Sequence, residues 1–307
     1  YLIVSKYWGT NQMKIIVPAT SANLGAGFDS IGIAVNLYLT VEVLGESRDW
    51  KIDHDLGENI PTDERNLLLT TLSAVLEDKN VALSAKFHLK MTSEVPLARG
   101  LGSSSSVIIA GIELANQLAK LNLTSDEKLK LACEIEGHPD NVAPALLGNL
   151  VIASTVAGKT SHIVADFPSC ALLAFVPDYE LKTVESRKVL PNELTYKEAV
   201  AASSIANVLT ASLLTNNLEV AGQMMEADRF HESYRASLIP ELQLLREIGH
   251  EFGAYGTYLS GAGPTVMLLV PDDKLTLLTE KIMEKNLTGH LYPLKIDNKG
   301  LQVEESV

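Results

Sequence analysis

Residues 96–107 read PLARGLGSSSSV, two glycines and four consecutive serines placed just before an apolar stretch with helical spacing. Backbone N–H groups in the first turn of a helix lack intrahelical partners, and the helix dipole adds partial positive charge there, so such a mouth receives anions. Gly100 and Gly102 let the chain curl close to a polyphosphate, while Ser103, Ser104, Ser105 and Ser106 add hydroxyl donors and a ligand for Mg2+. The whole run Pro96, Leu97, Ala98, Arg99, Gly100, Leu101, Gly102 and the four serines is thus a candidate phosphate cradle. A glycine turn followed by serine caps is its plain structural alternative. It is not a Walker A loop, since no lysine follows the glycines. VAGKT at 156–160 mimics the end of one, but Ala153 stands where the first glycine is needed, so it reads as a hairpin turn.

Elements must carry this loop. Val107, Gly111, Leu114, Leu118 and Leu121 recur at three and four residues, the face of a helix that begins at the serines. KFHLKM at 86–91 alternates and predicts a half-buried strand leading in. From Met13 the chain reads as strand, glycine-rich loop and strand. A helix is expected at about 125–136, then turns enforced by Pro139 and Pro144, the strand LVIAS, and a buried strand at 170–178. Helical patterns fill 195–250. Strands follow at 256–259 and 265–270, a helix at 273–285 and a strand at 290–296, an α+β arrangement. The domain boundary falls at 155–170, giving domains 13–165 and 166–307. Residues 1–12 precede a Met13 that resembles a natural start and are set aside as an added or upstream extension.

Composition narrows the partners. With 38 acidic against 25 basic side chains the net charge is −13, and no basic cluster offers a field for nucleic acid or acidic lipid. No apolar run reaches the ~18 residues of a membrane span, and no signal-peptide pattern opens the chain. The expectation is a cytoplasmic protein acting on a small molecule. Cys133 and Cys170, far apart in apolar runs, suit buried free thiols.

Three blocks occur in order: PATSANLGAGFDSIG at 18–32, PLARGLGSSSS at 96–106 and GTYLSGAGPTV at 256–266. Together they resemble the GHMP kinase superfamily, and the first block with GHPDNVAPA at 137–145 resembles its homoserine kinase branch. The resemblance implies a two-domain GHMP kinase fold, with an N-terminal domain like the second domain of ribosomal protein S5 and a ferredoxin-like C-terminal domain. It also implies MgATP as phosphoryl donor, L-homoserine as acceptor in threonine biosynthesis, and a homodimer. Asn149 departs from the pattern, which usually has a second glycine there, and puts the local turn in question.

The same resemblance assigns roles. Arg187 and Arg235 match receivers of the substrate carboxylate, a task that guanidinium forks suit. Asp29 matches the ammonium contact; Asn23, His138, Thr183 and Gly261 join the substrate set, with Ala262 and Gly263 beside the last. Ser104 and Glu136 match the Mg2+ ligands, with Glu134 as the other candidate carboxylate. Asn66 matches a position near adenine, although capping the following helix explains it equally well. Asn141 matches the residue that orients the acceptor hydroxyl; an amide cannot take its proton, so catalysis rests on alignment and charge neutralisation. Asp140 reads as loop structure, with a direct proton role as its alternative.

Overall fold

The computed structural model describes residues 2–4 and 13–305. Among these, two lobes form around a seven-stranded and a four-stranded sheet.

In the first lobe the alternation Met13, Ile15, Val17 and Phe87, Leu89, Met91 turns apolar side chains to one face. Helices Leu67–Asp78, Ser103–Ala119, Ser125–Glu136 and Pro139–Leu147 cover that face and complete its core. The order is Gln302–Glu305, Met13–Ala22, Ile31–Ser47, Lys86–Ser93, Lys51–His54. Strand Ile31–Ser47 pairs with Met13–Ala22 along one edge and is long enough to serve two partners along the other, Leu150–Val156 near its start and Lys86–Ser93 near its end. Gln302–Glu305 pairs antiparallel with Met13–Ala22, so the polypeptide returns to the first sheet after building the second lobe. Leu2–Val4, in the segment set aside as an extension, pairs in parallel with Val81–Leu83; the rest of that segment lies outside the described residues.

The second lobe orders its four antiparallel strands as Gly256–Leu259, Val266–Val270, Ala171–Pro177, Gly289–Leu294. Taken in chain order this is second, third, first, fourth, the ferredoxin-like arrangement expected. Successive residues of Ala171–Pro177 bury on opposite faces. Leu173 and Phe175 pack on helices Glu241–Phe252 and Leu275–Met283. Leu172, Ala174 and Val176 join Leu209, Leu213, Ala221 and Met225 of helices Tyr196–Leu214 and Leu218–Glu226. That cluster continues into Leu24, Ile31, Ile33 and Leu101 of the first lobe. The lobes therefore share a core, and the cleft between them has packed walls.

Two local readings change. Residues 139–147 are helical where turns were expected: Pro139 takes the first helical position, where its missing N–H costs nothing. Pro144 sits inside that helix and cannot bond the Asp140 carbonyl four residues back. That carbonyl lies against Gly32, where any Cβ would overlap it. Leu121 falls beyond the helix that starts at the serines, which ends at Ala119 with Lys120 in the left-handed region. Other readings agree. Ala157 and Gly158 join Leu150–Val156 to Lys159–Ala165 as a two-residue hairpin with both φ positive, as read for VAGKT. Asn149 adopts φ 59°, the left-handed conformation that asparagine tolerates best after glycine. No helix of the described residues is long and apolar enough to cross a membrane.

Candidate active site

The serine-rich loop is clamped from both lobes. Thr20 N donates to Leu101 O at 3.1 Å, and Ser260 Oγ from the second lobe donates to Gly100 O at 2.6 Å. Gly100 and Gly102 have φ of 80° and 70°, and a Cβ on either would meet its neighbour, the Ser260 carbonyl or the Thr20 hydroxyl. Both glycines are thus dictated by conformation and by space.

A cavity of about 250 Å³ opens at the head of helix Ser103–Ala119, and Ala98, Gly100, Gly102, Ser103, Ser104 and Ser105 line it. The other residues of the run hold the loop instead. Leu101 is fully buried in the shared core. Arg99 donates to the carbonyls of Leu97, Pro177 and Asp178. Ser106 Oγ donates to Pro18 O at 2.9 Å. Pro96 and Leu97 do not reach the cavity.

Opposite the serines stand the charged residues. Arg187 grips Asp29 with two bonds, Nη2 to Oδ1 at 2.6 Å and Nη1 to Oδ2 at 3.1 Å. The loop carrying Asp29 is set by Asn23, whose Oδ1 accepts from Asp29 N and whose Nδ2 donates to Gly261 O, both at 3.0 Å. Arg235 is 1% exposed. Its Nε donates to Ser186 O, and its Nη1 to Gly261 O and His231 Nδ1. Burial, then the Arg187 charge, pulls it down to about 10, still cationic at neutral pH. His231 is fully buried, which pushes its imidazole down to about 4. It is the neutral tautomer with Nε2–H donating to Gly25 O at 2.9 Å, leaving Nδ1 to accept from Arg235.

Helix Pro139–Leu147 delivers Asn141, whose Oδ1 accepts from Thr20 Oγ1 at 2.8 Å, so its amide nitrogen is left for the cavity that it lines. His138 Nδ1 pairs with the buried Asp140 carboxylate, and both also line the wall. Thr183 and Gly261 complete it. Asn66 stays apart: it caps helix Leu67–Asp78 through Leu68 N and donates to Pro61 O, and it does not line the cavity.

Comparison with known proteins shows the family. The family description "GHMP kinases N terminal domain" matches residues 66–149, and "GHMP kinases C terminal" matches residues 209–285. A homoserine kinase of Lactococcus lactis subsp. cremoris (strain SK11) is 98% identical over 295 residues, which are 96% of this chain and 100% of that protein. The chain belongs to the homoserine kinase family of the GHMP kinases. A homoserine kinase of Streptococcus pneumoniae (strain Taiwan19F-14) is 58% identical over 95% of this chain and 99% of its own. Among solved structures, the homoserine kinase of Cytophaga hutchinsonii superposes with a TM-score of 0.83 at 25% identity, covering 98% of this chain and 99% of that one.

The residues present fit the divalent cation that GHMP kinases imply. Glu136 lines the cavity and accepts from Ser105 Oγ at 3.0 Å. Burial holds its carboxyl above the usual glutamate range, a preference that a hard cation reverses. Ser104 is exposed at the helix mouth beside it. Glu134 points elsewhere, 55% exposed and paired with Lys130. Asp29, His138 and Asp140 also bring ligand atoms within 4.8 Å of one another, but Asp29 is engaged by Arg187 and Asp140 by His138. Reading the sequence of this homoserine kinase family member missed Phe28, Leu181 and Lys182 in the wall. Phe28 signalled itself only by standing next to Asp29; the other two gave no signal beyond preceding Thr183.

Proposed function

We propose that the chain is an ATP:L-homoserine phosphotransferase in which the serine-rich helix mouth holds the triphosphate and the Asp29, Arg187 and Arg235 group holds the amino acid. The observation that carries this reading is the meeting of these two sets around one cavity, with Asn141 between an anion mouth and a zwitterion receiver. Homoserine has an ammonium for Asp29 and a carboxylate for Arg187 and Arg235. It thus offers each partner of the Asp29–Arg187 pair a replacement of the right sign.

Free backbone N–H groups at Ser103, Ser104 and Ser105 receive phosphate oxygens, with Gly100 and Gly102 allowing close approach. Ser104 and Glu136 are the proposed ligands of Mg2+, which when bound neutralises charge on the β- and γ-phosphates. Asn141 Nδ2 donates to the acceptor hydroxyl and aims its oxygen at the γ-phosphorus. The new P–O bond forms as the bond to the β-phosphate bridging oxygen breaks, and the hydroxyl proton leaves late, onto a phosphoryl oxygen. Thr20 keeps the Asn141 amide in the orientation that presents N–H.

An ADP-coupled assay with MgATP against a panel of amino and sugar alcohols tests the reading. Homoserine should stimulate ADP release above all other acceptors; preference for a different alcohol would remove it.

A further inference from the structure

We propose that Phe28 is a positioning residue for the acceptor carboxylate, its ring being the platform on which Arg187 and Arg235 are set side by side. The inference rests on reading those two arginines as carboxylate receivers.

Both guanidinium carbons lie over the Phe28 ring, Arg187 at 5.5 Å and Arg235 at 5.4 Å from its centroid. These distances are within the ~6 Å over which a ring face attracts a cation. The ring is fixed in turn. It stacks on His231 with centroids 5.0 Å apart and planes 19° apart, and on Phe230 at 6.3 Å. His231 cannot turn freely, because one ring nitrogen donates to Gly25 O and the other accepts from Arg235. A stiff stack therefore runs from the core to the cavity wall.

The choice of an aromatic support follows from what the arginines must do. Two like charges placed together repel, and a carboxylate beneath them would relieve the strain but would compete with the substrate carboxylate for the same N–H groups. A ring face attracts each cation without occupying a donor. Arg187 shows why this matters, since both of its terminal nitrogens bond Asp29 and must change partner when a zwitterion enters. During that exchange the contact with Phe28 holds the guanidinium by its face while its edge is released. Among the described residues Arg235 Nη2 has no acceptor, which leaves it for the same use.

Steady-state kinetics on Phe28→Leu and Phe28→Tyr, with melting temperatures, test the inference. Phe28→Leu keeps apolar bulk and loses the ring face; the KM for homoserine should rise roughly tenfold, with the KM for ATP and kcat within about twofold of wild type. Phe28→Tyr, which keeps the face, should stay within about threefold of wild type in every constant. If Phe28→Leu shows no melting transition, Phe28→Met takes its place with the same expectation. An unchanged homoserine KM in the leucine or methionine variant, a parallel rise in the KM for ATP, or failure of tyrosine to preserve the KM would each overturn it. Wild-type protein without homoserine turnover would instead overturn the phosphotransferase reading, and this inference with it.

Discussion

Arg187 and Arg235 face the same cavity but are built into the protein differently, and their variants should separate accordingly. Arg187 is 36% exposed in its side chain and, among the described residues, bonds only the Asp29 carboxylate, whereas Arg235 is enclosed and bonds two carbonyls and an imidazole. Replacing either with Ala should raise the homoserine KM on the order of a hundredfold while the ATP KM moves by less than about threefold, since each loses a charge-assisted contact to one substrate. Arg235→Ala alone should also lower the melting temperature, because it leaves the Ser186 carbonyl and His231 Nδ1 without their donor, at about 1–3 kcal/mol for each buried group, while Gly261 O keeps Asn23. Equal effects on both KM values would send the arginines to the nucleotide side. Asn141 acts at the reacting oxygen, so Asn141→Ala should lower kcat by roughly a hundredfold or more with little change in either KM. A shift confined to KM would assign it to binding instead.

Elements show how far the sequence could be read and where it fell silent. The head of helix Ser103–Ala119 was legible because glycines and serines at a helix start have few uses, and the lobe patterns were legible from their two periods. The division of labour inside PLARGLGSSSS was not. Leu101, Arg99 and Ser106 turn toward the second lobe or the sheet, and that depends on contacts with residues such as Pro177 and Pro18 that no local pattern encodes. Pro139 and Pro144 misled because proline usually ends regular structure; here the first opens a helix, and the second is tolerated where Gly32 leaves room for the released carbonyl. Gly102 gives the element-scale prediction. A methyl group there would press on Thr20 Oγ1, the group that orients Asn141, in a conformation already unfavourable to alanine. Gly102→Ala should destabilise the fold by about 1–3 kcal/mol and lower kcat beyond what that loss explains. Unfolding curves beside kinetics at saturating substrate would show it; normal turnover would mean that the loop tolerates a side chain.

At the scale of the molecule, the shared core joins stability to the site through His231. Its imidazole, about 6.5 when unfolded, is held near 4 by burial in the fold. Between those values the unfolded chain binds a proton at this site that the folded chain refuses, so the contribution of His231 to stability rises with pH across that window and is constant above it. Glu232, which burial raises to about 7, acts in the opposite sense over this range, so the His231 effect is read as a difference: wild type should lose stability relative to His231→Gln as pH falls from about 6.5 toward 4. Urea titrations of both proteins at several pH values measure the difference; identical slopes would show that His231 does not couple.

The strand Gln302–Glu305 has a bearing on how the protein is made. Its partner, Met13–Ala22, leads directly into the loop that carries Asn23 and Asp29, yet a ribosome finishes the whole second lobe before this edge can be closed. Nascent chains stalled short of residue 300 should accordingly be cut by protease near that early strand, and protection should arrive only upon completion of synthesis.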